Sequence, residues 1–232
     1  MNRITAMGRM NVVKCSKKQS ATLFIFHGSG SSGDDIKKWI DILNKGELSF
    51  PHIKIVYPSA PAQPYTPNHG MPSNVWFDRS SISINAPEVV ESINSICKNV
   101  QEIIDEETAN GIPYDRIAVT GFSMGGALAL YLAYKHIPSL AGCCTMSSFI
   151  NKNSLIYKHL KEHPEISTPP LLQFHGSADT LVPIKWGEET CNSLRELGVN
   201  VQFVPLENLD HELSASEIKS FKEWLLNILP DK

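Results

Sequence analysis

The sequence has no run of like charges: 21 Lys and Arg stand against 24 Asp and Glu, a formal net charge of -3. Nothing in that balance draws the surface toward nucleic acid or an anionic membrane. Cysteine is scarce and poorly arranged for cross-linking. The five are odd in number, include the adjacent pair Cys143 and Cys144, and show no C-x-x-C spacing. That argues against a disulfide framework and a zinc site, and it fits a reducing cytosol. No apolar stretch approaches membrane-spanning length, the opening MNRITAMGRM lacks the apolar segment of a secretory leader, and no N-x-[ST] sequon occurs. These features give secretion no support and lead us to expect a cytoplasmic chain without stable membrane insertion.

The chain does hold enough apolar residues for one large core. Its 232 residues are 42% hydrophobic with no shift in composition along the way, so one domain over 1–232 is expected, with its core from about residue 10 to 229. Short apolar or β-branched runs recur at Met10 to Cys15, Ala21 to Phe26, His52 to Tyr57, Arg116 to Thr120, Ala141 to Met146, Leu171 to Phe174 and Val201 to Val204. These read as strands. Helical spacing separates them, most clearly in Val89, Ile93, Ile96, Val100, Ile103 and Ile104, and in Ile218, Phe221, Leu225 and Ile228. Such alternation predicts an α/β fold with a mainly parallel central sheet, helices on both faces and function at the carboxyl ends of the strands. One stretch resists this reading. Pro58 to Ser81 holds five prolines with Tyr65, Trp76 and Phe77, and reads either as a packed surface excursion or as a loop lining a site.

The strand Arg116 to Thr120 runs into Gly121-Phe122-Ser123-Met124-Gly125-Gly126 and then a helix, Ala127 to His136. This is G-x-S-x-G in the strand, turn and helix setting its mechanics require. A serine hydroxyl is a weak nucleophile and must project from a sharp turn toward a base; the flanking glycines remove the Cβ clashes of that turn. Ser123 is therefore the expected nucleophile of an α/β-hydrolase. In that fold the partners follow in the order acid, then histidine. His175 and His211 both lie near late strands. His175 closes its own strand, whereas His211 sits in a loop before the last helix and is the better base. Asp179, four residues past its strand, can reach across to His211; Asp210, its sequence neighbour, is poorly placed to accept from the imidazole Nδ1.

His27-Gly28-Ser29-Gly30 follows the strand Ala21 to Phe26, where this fold supplies one backbone N–H to an oxyanion; the other comes from the residue after the nucleophile. Ser29 and Met124 are the expected donors. Two other patterns compete for attention. Gly28 to Gly33 spells G-x-G-x-x-G, but the next strand ends Val56-Tyr57-Pro58, with no acid to bind a ribose. His159-Leu160-Lys161-Glu162-His163 has the H-x-x-E-H spacing of a metalloprotease class, but Pro164 ends the helix and no third ligand is evident. Neither a cofactor nor a metal is expected.

Five stretches, HGSGSSG, SNVWFDR, GFSMGG, HGSADTLVP and DHEL, together resemble the acyl-protein thioesterase and lysophospholipase family, of phospholipase/carboxylesterase type. The resemblance runs from about Met10 to Leu229. It implies the same triad, no large cap domain, no cofactor, and hydrolysis of small acyl esters, lysophospholipids or S-acylated proteins by a monomer or weak homodimer. Acyl-protein thioesterases usually carry glutamine after the nucleophile, where this chain has Met124; the altered pocket wall implies short acyl chains. The W-F-D motif makes Trp76 and Phe77 the candidate substrate-binding wall. The alternatives are a lysophospholipase, a catalytically weak acyl-binding protein with the same pocket, and, third, a peptidase.

Overall fold

A computed structural model describes residues 10–232; the first nine residues, and with them nearly all of the opening MNRITAMGRM, lie outside it. Among the described residues nine strands form, in chain order β1 (Met10–Val13), β2 (Ala21–Phe26), β3 (Ile53–Pro58), β4 (Ala62–Pro64), β5 (Pro72–Asn74), β6 (Ile117–Phe122), β7 (Gly142–Met146), β8 (Leu171–Gly176) and β9 (Val201–Leu206). The helices are α1 (Gly33–Leu43), α2 (Val90–Ala109), α3 (Met124–Tyr131), α4 (Leu155–Glu162), α5 (Ile184–Glu196) and α6 (Ala215–Ile228). Seven strands make the central sheet in the order β1-β3-β2-β6-β7-β8-β9. All neighbours in it are parallel except the edge strand β1, which runs against β3.

Every residue of β2, β6, β7 and β8 is buried, the mark of strands covered on both faces. Alternate side chains divide between two cores. Phe24, Phe26, Val119 and Cys143 pack with α2, α3 and α4 on one face. Leu23, Ile25, Ala118 and Cys144 pack with Ile36 and Ile40 of α1 and Ile218, Phe221 and Leu225 of α6 on the other. The α/β architecture expected from the alternating pattern, a mainly parallel sheet with helices on both faces, is thus the one observed.

From β2 the chain steps outward to β3, then crosses back to place β6 on the opposite side of β2. The loops leaving β2 and β6 therefore part in opposite directions and open a crevice at their carboxyl ends. Phe26 pairs with Gly121 across that junction, so the two candidate catalytic loops leave the sheet side by side. The proline-rich stretch folds as a small hairpin, β4 on β5, laid over this end of the sheet. The helix expected from Ala127 to His136 starts three residues earlier, at Met124, and its last turn widens over Leu132–His136 into a π-turn closed by Ile137 N–H on the Leu132 carbonyl. Pro138 bars any continuation.

Candidate active site

Ser123 stands at the junction of β6 and α3 with φ 55° and ψ -120°, a left-handed conformation that costs a non-glycine residue free energy and persists only when its surroundings fix it. Its N–H donates to Met146 O, and its own carbonyl accepts from Ser148 Oγ at 2.8 Å. Close packing completes the turn. A Cβ on Gly121 would lie 2.2 Å from the Gly125 carbonyl carbon, and one on Gly125 would lie 2.2 Å from Phe26 O. No larger residue fits either place. All eight residues of α3 are buried, so the helix behind the serine is rigidly seated.

His211 reaches the same crevice from the loop before α6. Its Nδ1 lies 2.7 Å from Asp179 Oδ2, and its ring packs against Phe122, with centroids 4.8 Å apart. Asp179 is buried. Burial alone would raise its pKa, but hydrogen bonds from His175, His211 and the Val182 N–H outweigh it and hold the carboxyl well below the usual range. Its other oxygen accepts from Leu181 N–H at 3.0 Å and Val182 N–H at 2.7 Å. An ionised carboxylate only accepts, so the His211 proton is fixed on Nδ1, leaving the Nε2 lone pair free to act as a base. His175 is wholly buried behind this pair, with Nε2 2.8 Å from Val182 O and 3.5 Å from Asp179 Oδ2. Asp210 instead accepts from Thr180 N–H and Oγ.

The loop after β2 is held by its own histidine. Ala60 N–H donates to His27 Nε2 at 2.9 Å, so Nε2 is the acceptor and Nδ1 carries the proton it gives to Gly28 O at 2.7 Å. Burial lowers the pKa of this ring to about 4, keeping it neutral. Neither the Ser29 nor the Met124 amide has a hydrogen-bond partner among the described residues, and Ser29 Oγ lies 3.6 Å from Met124 Sδ. Two unpaired donors flank the serine.

Ser123, His211, Ser29 and Met124 line one cavity of about 180 Å³, walled by Ile36, Trp39, Tyr65, Arg79, Ile82, Phe122, Phe149 and Leu181. Trp76 and Phe77 do not line it, which corrects the expectation from the W-F-D motif. Both are buried. The Trp76 indole N–H donates to His27 O at 2.7 Å and its ring meets Phe26 edge-on at 5.3 Å, while Phe77 meets Tyr131 edge-on at 5.8 Å. They brace the wall from behind. Tyr65 and Arg79, from the same stretch, are the residues that face the cavity. The second histidine pattern lies elsewhere: α4 ends at Glu162 and His163 caps it, its Nδ1 2.9 Å from His159 O.

The sequence model of the phospholipase/carboxylesterase family matches residues 7–229. The chain belongs to the phospholipase/carboxylesterase family. It is 47% identical to lysophospholipase-like protein 1 of Mus musculus over 94% of this chain and 91% of that protein. It is 34% identical to acyl-protein thioesterase 1 homolog 2 of Dictyostelium discoideum over 97% and 100% of the respective chains. Among solved structures, acyl-protein thioesterase 2 of Zea mays superposes with a TM-score of 0.81 at 27% identity, covering 96% of this chain and 99% of that one. As a phospholipase/carboxylesterase family member with this architecture, the chain is a serine hydrolase.

Proposed function

We propose that the chain hydrolyses carboxylic esters or thioesters of short acyl chains, with Ser123 as nucleophile, His211 as general base and Asp179 as its orienter. The observation that carries this reading is the arrangement itself: a strained, cavity-facing serine, a histidine on the same cavity with its Nδ1 on a buried carboxylate, and two unpaired amides beside them. Ser123 Oγ attacks the acyl carbonyl while His211 Nε2 takes its proton. The amides of Ser29 and Met124 hold the oxyanion as the carbonyl becomes tetrahedral. His211 then protonates the departing alcohol or thiol, leaving an acyl-serine, and water repeats the path to release the acid. Asp179 stays ionised throughout and stabilises the imidazolium.

Chain length follows from volume. A dry cavity of ~150 Å³ accepts benzene, so one of about 180 Å³ accommodates an acyl chain of about six carbons. The competing reading is a longer acyl thioester whose tail runs out over Ile82 and Leu181, both exposed apolar residues that line the cavity. Turnover of parallel ester and thioester series from acetyl to palmitoyl tests the two. kcat/KM rising to about six carbons and then falling supports the short-chain reading, while a value still rising at palmitoyl supports the long-chain one.

A further inference from the structure

The cavity that holds Ser123 carries a cation with no acid on the same lining among the described residues. Arg79 is the one permanently charged side chain lining it, and no aspartate or glutamate does so among the described residues. Arg79 as a residue is half-buried, and its guanidinium carbon lies 5.2 Å from the Phe77 ring centroid and 5.4 Å from that of Phe149, a setting that fixes the group and partly desolvates it. The acids nearest in sequence are committed elsewhere. Asp78 accepts from Thr66 N–H and Oγ at 2.8 and 2.7 Å. Glu88 accepts from the Tyr131 hydroxyl and from Leu155 N–H. Arg79 makes no ion pair among the described residues, and its Nε is buried with no hydrogen-bond partner. Tyr65, on the same cavity wall and only 6% exposed, has its hydroxyl in the same condition, buried and unpartnered.

Buried donors are almost always paired, and an orphan in a native fold calls for an explanation. Two on one wall of a catalytic cavity, one of them cationic and aromatic-flanked, make a receptor for an anionic oxygen group.

Resting on Ser123 as the nucleophile of this cavity, we infer that Arg79 and Tyr65 bind a carboxylate carried by the substrate, and that the preferred acyl donor is a short dicarboxylic half-ester or half-thioester. The carboxylate takes no part in the bond changes. It anchors the far end of the acyl chain while the ester carbonyl meets Ser123 Oγ, so Arg79 and Tyr65 determine specificity and the triad does the chemistry. A cavity that fits about six carbons accommodates a four- or five-carbon diacid.

The test compares aryl esters that differ in one charge. On the acyl side, p-nitrophenyl hemisuccinate and hemiglutarate are set against butyrate and valerate; on the leaving-group side, the butyrate ester of phenol is set against that of 4-hydroxybenzoate. A hydrogen-bonded charge lost from such a site changes affinity by about ten- to a hundredfold. The wild-type enzyme is therefore expected to favour the half-esters by tenfold or more in kcat/KM, with no such preference on the leaving-group side. In Arg79→Met the anionic-to-neutral ratio falls to about one, and in Tyr65→Phe it falls part of the way. Free glutarate should inhibit hydrolysis of the neutral butyrate ester by the wild-type enzyme at least tenfold better than free valerate, a reading that does not depend on any variant folding. Equal rates for charged and neutral esters overturn the proposal. So does a preference confined to the leaving-group side, or an Arg79→Met enzyme that slows both esters alike and keeps their ratio. Failure of the underlying reading looks different: wild-type turnover of the neutral esters would then persist in Ser123→Ala.

Discussion

A carboxylate can stay charged inside a protein only if its surroundings supply enough donors to replace water. Asp179 has two backbone N–H groups on one oxygen and His211, with His175 near, on the other. Because its pKa is held below that of an unfolded aspartate, its contribution to stability is fully present above about pH 4 and is lost as the pH falls further. The same charge fixes the tautomer on which His211 depends. Asp179→Asn presents an amide that can offer an N–H where His211 needs an acceptor, so kcat should fall by about 10³- to 10⁴-fold while the far-ultraviolet circular dichroism stays native. An Asp179→Asn enzyme within tenfold of wild type in steady-state kinetics would remove Asp179 from the triad.

The loop after β2 holds the Ser29 amide in place through His27, and Trp76 clamps that loop by its indole N–H on His27 O. Trp76→Phe keeps most of the packing and deletes the bond. We expect a kcat loss of about threefold to thirtyfold with little change in KM, as for an interaction acting in the transition state; a shift in chain-length preference instead would return Trp76 to the substrate wall. At the start of α6 the Ser214 and Glu217 side chains cap each other's N–H groups, but burial raises the Glu217 pKa to about 8. The folded state therefore retains a proton that the unfolded chain loses above about pH 4.5, so this residue makes stability fall as pH rises from about 5 to 8. Glu217→Gln should flatten that slope and raise stability at pH 8 by about 1–3 kcal/mol, since the helix N-terminus favours the carboxylate and offsets part of the burial effect. Urea denaturation at pH 5.5 and 8 checks it, and parallel pH profiles for the two proteins would refute it. Much at this scale was legible in advance. All seven strands of the main sheet stand within a few residues of the apolar runs that suggested them, because buried parallel strands need continuous apolar sequence. The hairpin β4–β5 was not, since proline-rich strands of three residues carry no periodic signal. W-F-D pointed to a stretch that borders the cavity but to side chains behind its wall: aromatic content does not tell a wall from its buttress, and it is Tyr65 and Arg79 of that stretch that face the cavity.

Over the whole molecule, strand order is what turns separate motifs into one site. Stepping outward from β2 to β3 and crossing back to β6 sets the Ser29 loop beside Ser123, while the loops after β8 and β9 bring Asp179 and His211 over the same end of the sheet. Ser29, Ser123 and His211, spaced across more than half the chain, thus meet at one cavity, and the order of Ser123, Asp179 and His211 along the chain suggested the proposed triad before any geometry was known. The distances, and the cavity wall proposed to select the acyl chain, depend on packing that no short motif encodes. The central claim is that an acyl group passes through Ser123. Rapid quenching of p-nitrophenyl butyrate turnover, followed by peptide mass analysis, should find a butyryl group on Ser123, and Ser123→Ala should lose the adduct together with about 10⁴-fold or more of kcat. Full turnover by purified Ser123→Ala, or an acyl adduct found on another residue, would contradict the account.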